Sequence, residues 1–295
     1  MTEYRLPDPQ EPNRVVVVGA RGFVGSDLTA RLQVDGIDVL PISSSDVDLC
    51  SPDSIDLLKE QIESDDVVVL VSALTPERGK DIRTLMNNLA MGEHFCGALS
   101  QQACAHVVYI SSDAVYEDDA NPVREDSCCH PSSYHGLMHL TREAMLRETC
   151  AAAGIPLFIL RPSLLYGARD THNGYGPNRF MRLAASGEGI KVFGNGEEKR
   201  DHVYIGDLSE LAHAGIVRRS EGVLNAATGD SRSFHDVASL SIARLESQSQ
   251  IEPQPRATPI THRHFDVTEV HKAFPSFSFT SLEVGLEQME GELDE

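Results

Sequence analysis

The segment Gly19-Ala20-Arg21-Gly22-Phe23-Val24-Gly25 follows directly on the four valines of residues 15–18 and opens an amphipathic stretch. An apolar strand before the glycines and a helix after them are the context a phosphate-cradling turn requires. Gly19 permits the tight turn, Gly22 lets backbone amides approach a pyrophosphate at the helix N-terminus, and Gly25 lets helix and strand pack closely. The chemistry implied is dinucleotide binding by Gly19, Arg21, Gly22, Phe23, Val24 and Gly25. An ordinary glycine-bearing strand-to-helix turn is the competing reading.

The next strand ends in Ile42-Ser43-Ser44-Ser45, where an NAD-binding protein usually places an acid on the ribose 2′-hydroxyl. Asp46 and Asp48 come a few residues late. Arg21, helped by Ser43 or Ser44, suits a 2′-phosphate instead, which favours NADP over NAD; otherwise Arg21 is a solvated loop arginine. Asp48 and Leu49 continue this edge of the expected cofactor site. Further along stand Ser112 and Asp113 after an apolar run, and Tyr134 at the start of a helical stretch. Taken singly, Ser112 and Asp113 are turn-capping residues and Tyr134 a packing aromatic.

These residues need a scaffold, and the apolar pattern supplies one. Short β-branched runs at 15–18, 39–42, 67–71, 107–110, 157–160 and 223–225 alternate with amphipathic stretches at 23–35, 54–62, 82–104 and 134–153. Buried parallel strands with crossover helices read this way, which predicts an α/β fold of Rossmann type: a doubly wound parallel sheet with a smaller C-terminal substrate-binding lobe. The expected division is 13–166 with 201–226 for the nucleotide-binding domain, and 167–200 with 227–295 for the lobe. Residues 1–12, with Pro7, Pro9 and Pro12, read as a disordered or loosely packed leader. The stretch from Phe274 onward, with six acids and no bases, reads as a solvated tail.

Three further segments make the pattern specific: Ile110-Ser111-Ser112-Asp113-Ala114-Val115-Tyr116 after a strand, Tyr134 opening a helix, and Leu160-Arg161-Pro162-Ser163-Leu164-Leu165-Tyr166-Gly167 after another strand. Together with the glycine turn, and with Asn88 in the helix before the serine strand, they resemble an extended short-chain dehydrogenase/reductase. More narrowly, the chain resembles the NAD-dependent nucleotide-sugar epimerase/dehydratase family, from about Arg14 to about Gly285. The resemblance implies that Ser112 and Tyr134 meet a sugar hydroxyl oxidised at C4, the tyrosine taking its proton while hydride goes to the nicotinamide, and that Asn88 and Tyr134 also belong to the cofactor site. Four residues after the tyrosine, however, the family's lysine is replaced by Met138. A phenol titrates near ~10 and is a weak base at neutral pH without a nearby cation; His135 and His139 are expected to point off the tyrosine's face. A tyrosine–methionine variant also occurs in the family, so Met138 implies an altered mechanism. Asp113 matches the acid of the family's 4,6-dehydratases, but Ala114 stands where their base follows; Asp113 also fits 4-keto-sugar reductases.

The resemblance extends to the lobe. Val192-Phe193-Gly194-Asn195-Gly196-Glu197-Glu198-Lys199-Arg200-Asp201 resembles the family's glycine hairpin, which places Arg200 on a diphosphate, Phe193 by the base and Arg256 as the second diphosphate arginine. Asn178 matches the asparagine that bonds the diphosphate or sugar, and the loop 170–177 is expected to set sugar specificity. His172 in that loop is a lone histidine, which is usually neither a ligand nor an acid. The expected activity is a C4 epimerase on a nucleotide-diphosphate sugar. The rivals are a 4-keto-sugar reductase, supported by the short second-to-third-strand connection, Arg21 and Asp113, and a silent cofactor-binding module, supported by Met138. A homodimer through the helical stretches 82–104 and 134–153 would fit the family.

Composition narrows the remaining classes. Among 295 residues, 25 basic against 45 acidic side chains give a net charge of -20, which repels nucleic acid. No apolar run approaches the ~20 residues of a membrane helix, and the first residues lack a secretory pattern, so a cytoplasmic protein is expected. The six cysteines contain no Cys-x-x-Cys pair; reduced packing residues are expected and no metal site.

Overall fold

The computed structural model describes residues 2–170 and 173–293. In chain order its first half comprises β1 (Glu3–Tyr4), β2 (Arg14–Val18), α1 (Phe23–Val34), β3 (Asp38–Ile42), α2 (Ser54–Gln61), β4 (Val67–Leu70), α3 (Ile82–Gln101), β5 (His106–Ile110) and α4 (Tyr134–Ala153). There follow β6 (Leu157–Pro162), β7 (Leu164–Tyr166), α5 (Pro177–Ser186), β8 (Ile190–Phe193), β9 (Lys199–Tyr204), α6 (Ile205–Val217) and β10 (Ser220–Ala226). The chain closes with β11 (Ser231–Ser233), α7 (Phe234–Arg244), β12 (Ile251–Gln254), α8 (Thr268–Ala273) and α9 (Leu282–Leu293).

The main sheet has the order β1-β10-β6-β5-β4-β2-β3, parallel throughout except for β1. Its valines are buried on both faces because they alternate between two cores. Val16 and Val18 pack with Leu58, Phe95 and Leu146 of α2, α3 and α4, whereas Val15 and Val17 pack with Leu28, Leu32 and Leu208 of α1 and α6. The strand order reverses between β2 and β4, and the crevice outside the carboxyl ends of strands at such a reversal is where ligands bind in open α/β sheets. A smaller lobe, with sheets β11-β9-β7 and β12-β8 and helices α5, α7 and α9, closes over that end around a core including Tyr166, Phe180, Val192, Phe234 and Leu286.

Three expectations about the chain's periphery need correcting. The leader is not loose: β1 adds an antiparallel strand to the edge of β10, Leu6 N donates to Arg218 O, and the Arg218 guanidinium sits 4.7 Å from the Tyr4 ring centroid. The acidic stretch after Phe274 is not a solvated tail, because Leu282, Leu286 and Met289 are spaced to bury one helical face while Glu287 and Glu290 on another pair with Arg244. The lobe boundary also shifts: Val270, Ala273 and Phe274 belong to the core beneath the main sheet, and β7 belongs to the lobe's sheet. No helix among the described residues is long and apolar enough to cross a membrane.

Candidate active site

Gly19 follows β2 with φ 103°, in the left-handed region open to glycine, and a Cβ there would lie 2.7 Å from the Ser72 amide nitrogen after β4. A Cβ on Gly25 would lie 2.2 Å from Gly19 O. The first turn of α1 carries no side-chain cap at Gly22, so no side chain competes with an anion for those amides. Close backbone approach and an uncapped helix start fit a dinucleotide pyrophosphate.

At the edge of this site Arg21 Nη1 donates to Ser45 Oγ at 2.9 Å. Asp46 is closer than its sequence position suggests. Its Oδ2 accepts from Ser43 N at 2.9 Å and Ser43 Oγ at 2.6 Å, so the chain turns back and sets a carboxylate at the end of β3. Those bonds, with Arg21 nearby, hold the Asp46 carboxyl below its ordinary range. Ser44 and Asp48 are exposed, Asp48 accepting from Cys50 N, whereas Leu49 is buried with its carbonyl on His94 Nδ1. Asn88 is committed to the loop after β4, its amide making paired bonds of 2.8 and 2.9 Å with the backbone of Leu74.

Ser112 caps the turn after β5 by accepting from Ala114 N at 3.1 Å. The start of α4 rests on that turn: a Cβ on Gly136 would lie 2.0 Å from Ala114 O, so glycine is needed for the contact. A cavity of about 390 Å³ opens beside it, lined by Leu74, Lys80, Asn88, Ser133, Tyr134 and His135 among others. Tyr134 is 44% exposed, but Met138 is only 1% exposed and does not line the cavity. Four residues after Tyr134 in α4, Met138 keeps the tyrosine's helical face while its own side chain is buried. The two histidines, one and five residues after Tyr134, lie off that face of α4. His135 lines the cavity and stands edge-on to His139 with ring centroids 4.6 Å apart, and His139 Nδ1 hydrogen-bonds Tyr109 Oη at 2.8 Å. Burial first, then Arg142, shifts His135 toward its neutral form against the pull of Glu77, and burial also drives the His139 pKa well down.

A fixed cation lies one turn beyond Met138. The buried Arg142 guanidinium donates to Asn88 O at 2.8 Å and Ser72 O at 2.7 Å, bracing the loop next to Gly19. Beneath the serine turn a second polar network is fully buried. Glu143 accepts from Arg161 at 2.9 and 2.6 Å and from Ser111 Oγ at 2.7 Å, while Arg161 reaches Tyr116 Oη at 2.8 Å. Burial alone would raise the Glu143 carboxyl; the Arg161 and Ser111 bonds outweigh it and bring it below its ordinary range.

The lobe delivers three arginines. Arg200 and Arg256 both engage the Glu198 carboxylate. Arg263 reaches back to the serine turn, with Nε 3.4 Å from Asp113 Oδ2 and Nη2 donating to Asp113 O at 3.1 Å. Burial pushes the Asp113 carboxyl up, opposed by Arg263 and Arg200. Phe193 is exposed beside Tyr175, at 5.4 Å between ring centroids. Asn178 is buried with its amide on Gly167 N and Asp170, holding the start of the 170–177 loop, of which Thr171 and His172 lie outside the described residues. The other face of the Arg200-Asp201 pair ties the lobes: Asp201 accepts from Ser163 Oγ, Thr228 N and Gly229 N at 2.8–2.9 Å.

Arg142, Glu143 and Arg263 carry no signal in the linear pattern, since each is defined by a partner distant in sequence, and Glu198 pairs with the neighbouring Arg200 but meets Arg256 only through the fold. His135 and His139 have one, an i,i+4 spacing on the helix that opens with Tyr134.

With this geometry in place, comparison with known proteins decides the family. The family model for the NAD dependent epimerase/dehydratase family matches residues 15–227. The chain belongs to that family. UDP-glucuronic acid decarboxylase 1 of Danio rerio is 24% identical over 84% of this chain, and the match spans 64% of that protein, less than two thirds of its length. A dTDP-4-dehydro-6-deoxy-D-allose reductase of Streptomyces bikiniensis is 24% identical over 93% of this chain and 94% of that one. Among solved structures, UDP-glucose 4-epimerase of Thermotoga maritima with UDP-glucose aligns at TM-score 0.84 and 19% identity, covering 95% of this chain and 98% of that one. RMD of Pseudomonas aeruginosa complexed with NADPH aligns at TM-score 0.81 and 22% identity, covering 95% and 99%. These likenesses establish a Rossmann-like α/β fold with a mainly parallel sheet.

Proposed function

We propose that this family member is a nucleotide-sugar oxidoreductase of the epimerase type, acting at sugar C4. The observation that carries the reading is the serine turn after β5: the start of α4, with Tyr134, rests on Ala114 of that turn, and Arg200, which shares Glu198 with Arg256, acts on Asp113 in it. A nicotinamide dinucleotide, when bound, supplies a site for hydride exchange. The glycine turn and the start of α1 would hold its pyrophosphate. Ser112 and Tyr134 would orient the sugar hydroxyl and take or return its proton, Arg200 and Arg256 would hold the diphosphate, and Phe193 would lie by the base. NADP is favoured through Arg21 at the ribose end, although Asp46 sets a competing acid there. Exposed Ile82, Met86 and Leu137 along α3 and α4 support homodimerisation, and a cytoplasmic location fits the same reading.

A 4-keto-sugar reductase is the second reading. It is favoured by Ala114 after Asp113 and by the direct connection of β3 through α2 to β4 without an intervening strand. Mass spectrometry of small molecules released from the purified protein, followed by turnover assays on the sugar nucleotide identified, tests both. Retained cofactor and interconversion without net NADPH consumption mark the epimerase. Stoichiometric NADPH consumption marks the reductase and overturns the first reading. Arg21→Ala should weaken NADPH binding and spare NADH; equal losses would remove the NADP preference.

A further inference from the structure

Between the two arginines assigned to the diphosphate lies a carboxylate of the chain itself. Glu198 Oε1 accepts from Arg200 Nη2 and Oε2 accepts from Arg256 Nη1, so one carboxylate bridges both guanidiniums. The arrangement is partly buried, with side-chain exposures of 23% for Arg200, 16% for Arg256 and 15% for Glu198. Its backbone is pinned while its side chain is the adjustable part. Phe234 N donates to Glu198 O at 3.1 Å, Lys199 N donates to His262 Nδ1 at 3.2 Å, and the β9–β11 ladder sets Arg200 opposite Arg232.

The donors of the two arginines are not used up. Arg200 Nη1 bonds the carbonyls of Thr261 and Lys199, but Arg256 Nη2 reaches Phe193 O only at 3.4 Å, and Arg256 Nε is buried without a partner among the described residues. A buried guanidinium donor left open beside an exposed aromatic ring is a place for a ligand acceptor. Burial works against the charge on Arg200, and Glu198 is the principal opposing influence, ahead of Asp113 and Asp118; Arg263 works in the same direction as burial. In the free protein, then, Glu198 is the main counterweight to burial for the charge on Arg200, and the same carboxylate also engages Arg256.

We propose that Glu198 is the resident counterion of the diphosphate subsite. It keeps Arg200 and Arg256 aligned in the free protein, and a diphosphate binds by displacing its carboxylate from both. This rests on the diphosphate reading of the two arginines. The physical reason is charge crowding: the two phosphate charges and Glu198 cannot share two guanidiniums in a partly buried site, so the carboxylate that favours the free state opposes the bound one.

Calorimetric titration of the intact protein with UDP, dTDP and GDP tests this. Glu198→Gln keeps a hydrogen-bond acceptor but removes the charge. It should bind the tightest of the three nucleotides roughly tenfold better than wild type, while its ligand-free melting temperature falls because the arginines lose their counterion. Glu198→Asp, too short to span both arginines, should give a smaller gain and carries the test if the glutamine variant does not fold. Equal or weaker binding by a folded variant, with wild type binding normally, overturns the counterion role and makes Glu198 a residue that aligns the arginines for the ligand. Failure of every protein, wild type included, to bind any of the three nucleotides overturns the diphosphate reading itself, and this inference with it.

Discussion

Arg263 Nε stands 3.4 Å from Asp113 Oδ2 across a separation of 150 residues, joining the C-terminal lobe to the serine turn. Both side chains are largely buried, so removing one partner strands the other. Arg263→Met should destabilise the protein by ~3 kcal/mol, read as a lower denaturation midpoint, and Asp113→Asn in the same chain should recover part of it. The sign of the pH effect follows. Burial already raises the Asp113 carboxyl and Arg263 opposes it, so the variant raises it further. The penalty is then greatest at neutral pH and shrinks as pH falls through the raised value, where the protonated carboxyl needs no cation. A penalty independent of pH would show that the pair is not what Arg263 contributes.

Gly22 caps the start of α1 without a side-chain bond, leaving its first amides for a phosphate. Gly22→Asp sets a carboxylate among them and should reduce dinucleotide affinity at least ~100-fold in calorimetry while the far-ultraviolet spectrum stays unchanged. Unaltered affinity in the folded variant would remove the glycine turn from the cofactor site.

Tyr134 and His135 line the same cavity, and only one of them has to move the proton. With the tyrosine in that role, Tyr134→Phe should lower kcat by roughly 100-fold or more and His135→Gln by less than about tenfold. The reverse ranking would transfer the role to His135, backed by His139 and Tyr109. Met138→Lys is not expected to restore the family's chemistry. At 1% exposure the new ammonium would replace a buried thioether, and a melting temperature lower by several degrees is the expected result.

Glu143 is held below its ordinary range despite burial, through Arg161 and Ser111. A depressed carboxyl contributes stability that is complete above its ordinary value of about 4.5 and is lost as pH falls through the lower, folded value. Glu143→Gln should therefore be less stable than wild type at pH 7, and the difference should close in acid. Urea titrations at neutral pH and near pH 3 measure it; a gap that persists in acid would mean that geometry, not charge, dominates this network.

Local chemistry determined much of this protein. The valine runs, the glycine turn and the ordered serine, tyrosine and Arg-Pro segments specify a doubly wound parallel sheet and a nucleotide crevice, because strand burial, turn conformation and helix periodicity act over a few residues. The same locality explains what was misread. The leader's prolines conceal a two-residue edge strand that exists only because β10 offers it a partner, and the acidity after Phe274 masks apolar residues spaced along one helical face. Charge placement was decided by tertiary structure alone. Asp46 returns to the end of β3 through a turn, Arg142 stands beside the loop after β4 while Met138 is buried, and Glu198 falls between Arg200 and Arg256. Coulomb interactions depend on distance through space, and no spacing along the chain records which buried charge will meet which.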